Sequence, residues 1–110
     1  MAPDTAQIKR LRGVIVELVY SRHMAQNARL DHVMLWHILR DLGCDVGETD
    51  VLTQLQDLSD RGYVKYREYK DPRVSRLSGE VTYVRIFEIQ LTSRGRDLRE
   101  ETITDPAVLF

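Results

Sequence analysis

The chain of 110 residues contains a single cysteine, Cys44. No internal disulfide can form, as expected of a protein kept in a reducing compartment. Cys44 reads as a small buried or half-buried spacer in a turn, because a free thiol packs as a small hydrophobe. No apolar run approaches the roughly 20 residues needed to span a bilayer. The first five residues lack the basic-then-apolar layout of a signal peptide. The expectation is a cytoplasmic protein with no membrane partner. Paired Cys-x-x-Cys and His-x-x-x-His frames are missing too. His32 and His37 are five apart, so one helix face does not present both. The histidines read as polar surface residues, and no metal is expected. There is no glycine-rich phosphate loop, no Gly-x-Ser-x-Gly and no isolated acid pair in an apolar setting. A chain this short also leaves little room for a substrate pocket beside its core. Catalysis and cofactors are not expected.

Repeats and low-complexity tracts are likewise missing. What remains is an ordinary soluble composition, 43% hydrophobic and 30% charged. One domain spanning residues 1–110 is expected, with a single modest core. The net charge of −1 argues against a strong nonspecific nucleic-acid binder. Its distribution is more telling. Residues 1–30 carry five cations against Asp4 and Glu17, a balance of +3. Residues 46–60 carry Glu48, Asp50, Asp57 and Asp60 with no basic residue, a balance of −4. Residues 61–80 return to +3, with six cations against Glu68, Asp71 and Glu80.

Ile8, Leu11, Ile15 and Leu18, widened by Val14 and Val19, recur at helical steps and predict a first helix over residues 4–22, capped by Asp4 or Thr5. Gly13 inside it costs about 1 kcal/mol against alanine, which a close approach by another element would explain. After a polar connector, Asp31 caps a second helix to Leu42, with Leu35, Ile38, Leu39 and Leu42 on one face, and Gly43 ends it. Residues 44–47 turn the chain into a third helix, 46–60, which buries Val51, Leu55 and Leu58. Gly62 suits the left-handed position after it. Aromatic and β-branched residues predict antiparallel strands over 63–69 and 81–91, joined by a mobile loop punctuated with proline and glycine. Thr92 caps a short charged helix over 93–101, and a tail ends in Ala107-Val108-Leu109-Phe110.

Leu42-Gly43, Val46, Val51, Leu55, Leu58, Gly62 and Val64, followed by Leu91-Thr92-x-x-Gly95-x-x-Leu98, resemble winged-helix regulators of the broad transcription-factor superfamily. The spacing is similar to that of small winged-helix proteins of Mu-like phages and prophages, over about residues 8–106. The resemblance implies an α+β, mainly α, winged helix-turn-helix: a three-helix core, a β-hairpin wing over about 63–91, and a C-terminal helix and tail over 92–110. It implies DNA binding in transcriptional regulation, in a phage or prophage setting. The chain departs from the pattern in its long hairpin loop and in a third helix without arginine or lysine.

On the third helix, Thr49, Thr53, Gln54 and Gln56 are the candidates to face bases, since threonine and glutamine hydrogen-bond base edges. Phosphates would repel Glu48, Asp50 and Asp57, although acids in a first turn also favour the helix dipole. On the wing, Lys65 and Arg67, on one face with Tyr63 and Tyr69, and loop residues Lys70, Arg73 and Arg76 supply cations for phosphates or the minor groove. The competing reading is a winged-helix protein-interaction module whose acidic third helix meets a basic partner. The first helix, Val33, Trp36 and the apolar tail exceed what one small core absorbs, so a homodimer is expected, unless the tail folds back on its own core.

Overall fold

The computed structural model describes residues 5–24, 30–77 and 79–110. Its elements run α1 (Thr5–Met24), α2 (His32–Asp41), α3 (Glu48–Asp60), β1 (Val64–Ser75), β2 (Gly79–Leu91) and α4 (Ser93–Arg99). The architecture is α+β, roughly half helical, with one two-stranded antiparallel hairpin. Asp4, one of the two expected caps of α1, lies outside the described residues.

Capping chemistry sets the helix ends. The Asp31 carboxylate accepts from the Met34 amide at 2.7 Å and opens α2. Leu42 closes that helix and Gly43 adopts φ +88°, a left-handed turn that suits glycine. The Trp36 indole then donates to the Val46 carbonyl at 2.9 Å, tying α2 to the turn before α3. Asp50 in the first turn of α3 accepts from the Gly47 amide at 2.9 Å. Gly62, at φ +82°, reverses the chain into β1.

The hairpin departs furthest from expectation. Residues 70–80, read as a loop, are almost all ladder: pairing runs from Val64 opposite Leu91 to Ser75 opposite Gly79. Pro72 sits in that ladder opposite Thr82. A two-stranded sheet consists of edges, so a residue without an N–H is tolerated there. Twelve residues of β1 at about 3.3 Å each give an arm near 40 Å, in a molecule whose longest extent is 50 Å.

One irregularity aims the side chains. Between Lys65 and Arg67 the register shifts by one, with the extra residue on β2, where Glu88 adopts φ +54°. Such a bulge reverses which face following residues occupy. Ile86 and Ile89, three apart, are therefore both buried, as strict alternation would not allow. Strand β1 stays regular, with Val64 and Tyr66 toward the core and Lys65 and Arg67 away from it.

The core joins Leu11, Ile15, Val16 and Val19 of α1 to Leu35 and Leu39, to Val51, Leu55 and Leu58, and to Ile86, Ile89 and Leu91. The α1 stripe is rotated from the expected one. Val16 lies at its centre, while Ile8, Val14 and Leu18 fall at its margin. Leu42 is exposed because it follows the last turn of α2. Leu30, at the end of the polar connector, is buried, and its carbonyl accepts from the Ile89 amide at 3.0 Å.

Two glycines permit close packing. A Cβ on Gly95 would collide with the Tyr63 carbonyl oxygen, so the Thr92-x-x-Gly95 spacing lets α4 lie against the start of β1. Thr92 caps α4 through the Gly95 amide at 3.0 Å, and its hydroxyl donates to the Gly62 carbonyl. Gly13 plays the same part for the tail, since a Cβ there would meet the Leu109 carbonyl. The tail thus folds back on its own chain: Val108 is buried and the Leu109 amide donates to the Lys9 carbonyl at 3.0 Å. Trp36 is also half-buried on the core, while Met34, Leu42, Leu109 and Phe110 remain exposed.

Candidate nucleic-acid interface

Alternation along the hairpin sorts its residues onto two faces. The face turned toward the core carries Tyr66, Glu68, Lys70 and Pro72, opposite Ile86, Val84 and Thr82. The outward face carries Lys65, Arg67, Tyr69, Asp71 and Arg73 on β1. Opposite Arg67, Tyr69, Asp71 and Arg73 lie Phe87, Arg85, Tyr83 and Val81 in turn. Four cations (Lys65, Arg67, Arg73 and Arg85) thus share one surface with three aromatic rings.

That surface is positive and open. Its carboxylates are Asp71, which accepts from Arg73 at 2.8 Å, and Glu88 at the bulge, 3.6 Å from Arg67. Four cations against two carboxylates leave a surplus of two positive charges on a chain whose total is −1. The guanidinium of Arg73 lies over the Tyr83 ring at 5.0 Å, and that of Arg67 over Phe87 at 5.9 Å. Tyr69 is 56% exposed and Tyr83 51%.

The expected hairpin residues are therefore divided. Lys65, Arg67 and Arg73 come together outward; Lys70 points to the other face, opposite Val84; Arg76 sits in the turn at the tip. Tyr63 does not join them. It precedes β1 and is buried, and its hydroxyl donates to Asp105 at 2.6 Å. Burial and that hydrogen bond push the Tyr63 phenol above its ordinary value, while the same bond holds the Asp105 carboxyl below its own. Arg85, Tyr83 and Phe87 were missed by reading the sequence. Their period of two was visible, but only the register and the bulge show which face it occupies.

On α3, Thr49, Thr53 and Gln56 are exposed, and the Thr53 hydroxyl donates to the Thr49 carbonyl at 2.9 Å, leaving its lone pairs available. Gln54 is a correction. It is buried, and its Oε1 accepts from Arg12 Nε at 2.8 Å, so it braces α1 against α3 and reaches no base.

The acids of α3 have internal partners. Asp50 caps its own helix, Asp57 Oδ2 lies 3.2 Å from Arg12 and 2.8 Å from Arg61, and Glu48 bonds His32 at 2.8 Å. Three of the four carboxylates that motivated a basic protein partner are thus engaged within the fold.

His32 is the second correction, being buried and not a surface histidine. The Ile86 amide donates to its Nδ1 at 3.1 Å, so Nδ1 is bare and Nε2–H donates to Glu48. One ring thereby joins the starts of α2 and α3 to β2. His37 is exposed and stacks on Trp36 at 5.4 Å. The His23 side chain lies outside the described residues. Among the described residues no helix is long and apolar enough to cross a membrane. Compared with protein-family models, curated proteins and solved structures, the chain has no match in any of the three.

Proposed function

We propose that this is a winged-helix DNA-binding protein whose hairpin, the wing, supplies the principal contact. The observation that carries the reading is the surplus of cations on one face of a long projecting arm. Phosphate binding needs flexible positive side chains on an element that reaches away from the body. Lys65, Arg67, Arg73 and Arg85 meet that need, and Arg76 extends it to the tip. The order helix-helix-helix-strand-strand-helix and the Leu42-Gly43 turn before α3 favour the same reading. Exposed Thr49, Thr53 and Gln56 remain the residues to face base edges. A role in transcriptional regulation, a phage or prophage setting and a cytoplasmic location follow the resemblance.

A homodimer belongs to this proposal, because two-fold symmetry matches a palindromic site. Met34 on α2, Leu42 just after it and Leu109-Phe110 in the tail are exposed apolar residues available to it. Light scattering that returned the monomer mass of 12.8 kDa at micromolar concentration would remove the dimer.

The test is fluorescence anisotropy with mixed duplex fragments at about 50 and 200 mM salt. Five phosphate contacts, Arg76 included, predict a loss of roughly 10²- to 10³-fold in affinity across that range. Arg73→Ala with Arg76→Ala should weaken every sequence alike and flatten the salt slope by about 2. An unchanged affinity would remove the hairpin from the reading.

A further inference from the structure

We propose that the outward face of the hairpin takes unpaired bases, so that its preferred ligand is single-stranded nucleic acid. This rests on the hairpin's being a nucleic-acid surface and names the form it binds.

The rings carry the argument. Cations alone would serve any polyphosphate, duplex or single-stranded. Tyr69, Tyr83 and Phe87 add flat apolar faces on the same surface, and each lies beside a guanidinium: Tyr69 opposite Arg85, Phe87 under Arg67, Tyr83 under Arg73. Bases in a duplex stack on one another and show a protein only their edges, so a ring on an open sheet finds no base plane there. An unpaired base stacks directly on tyrosine, phenylalanine or a guanidinium plane.

Spacing agrees. Neighbours on one face of a strand lie about 6.8 Å apart. That is twice the roughly 3.4 Å rise of a stacked strand, so the ladder suits an extended strand with its bases separated.

Position agrees as well. Tyr66 and Ile86, on the core-facing side of the hairpin, pack into the core to which α3 contributes Val51, Leu55 and Leu58. The helix therefore meets the core-facing side of the hairpin. A duplex held by α3 and the hairpin cations would still offer the outward rings no base plane to stack on. Nor does the core need those rings, since Tyr69 and Tyr83 stand at the surface.

The experiment compares a labelled mixed-sequence strand of about 15 nucleotides with its own duplex, by anisotropy at about 50 mM salt. The full chain is used, with Tyr69→Ala and Tyr83→Ala made singly and together. We expect the strand to bind about tenfold or more tighter than the duplex. Each substitution should cost about 5- to 150-fold on the strand while barely moving the duplex. Far-ultraviolet circular dichroism of the variants checks that the fold persists, and Tyr69→Phe should restore binding. Equal losses on both forms, or tighter binding of the duplex, would overturn the inference and leave the DNA-binding reading standing. No binding of either form would overturn both. Self-association abolished by the tyrosine variants, with no strand preference, would assign the face to a second copy and overturn it too.

Discussion

Arginine, aspartate and tyrosine meet in two places in this molecule, with opposite consequences. At the base of the hairpin, Arg12 binds Gln54 and the Ala107 carbonyl, Asp57 lies between Arg12 and Arg61, and Tyr63 holds Asp105. Those bonds tie α1, α3, the turn before β1 and the tail, and the Arg12 side chain is only 16% exposed. Further out, Arg73 meets Asp71 two residues away and covers Tyr83, with its own side chain 65% exposed. The first set joins segments remote in sequence in a partly dry setting. The second is local and solvated, where an ion pair contributes about 0–1 kcal/mol. Identical chemistry thus stabilises the fold in one place and leaves side chains available to a ligand in the other.

The sharpest way to break the comparison is at the base. Gly95→Ala should destabilise by about 3 kcal/mol or more, because its Cβ meets a backbone oxygen that cannot swing aside. In a domain of this size that lowers Tm by more than about 10 °C. An unchanged melting curve would mean that α4 does not lie against Tyr63. His32→Ala comes next. It leaves the Ile86 amide buried without an acceptor and opens a cavity, for about 2–4 kcal/mol and faster hydrogen exchange at that amide.

Asp105→Asn should act through pH. The Tyr63 hydroxyl, chiefly, holds the Asp105 carboxyl below its ordinary value of 3.8. A depressed folded-state value means that this stabilisation is complete above the ordinary value. It disappears as pH falls from about 4 through the folded-state value. Acid titration of stability should therefore be shallower in the variant below about pH 4, with little difference in slope near neutrality. An identical acid limb would detach Asp105 from the network.

The smallest effects belong to the arm. Arg73→Ala should change stability by no more than about 0.5 kcal/mol while flattening the salt dependence of nucleic-acid binding by about 1. A large loss of stability there would erase the distinction between the two regions. On α3, Gln54→Ala should lower Tm with no change in base preference, and Gln56→Ala should do the reverse.

Local signals carried much of this. Asp31 and Thr92 announced the caps, Gly43 and Gly62 the left-handed turns, and Val51, Leu55 and Leu58 the buried stripe of α3. Each depends on atoms within a few residues, so the chain alone reveals it. The length of the hairpin was hidden, because Pro72, Gly79 and their charged neighbours resemble a loop until a partner strand satisfies their backbone. Gln54 looked like a surface residue because nothing near it in sequence reveals Arg12, 42 positions away.

By itself, the sequence determined the order of the helices, the caps of α2 and α4, the presence of two strands and the segregation of charge, since propensity, capping and periodicity act over short range. The tertiary structure alone decided that three of the four acids of α3 have internal partners, that His32 is buried and that the tail covers α1. It also decided, through one bulge and one register, that Arg85, Tyr83 and Phe87 share a face with Lys65, Arg67 and Arg73. Those outcomes depend on which remote segments meet. That in turn depends on how the whole apolar surface can be buried at once.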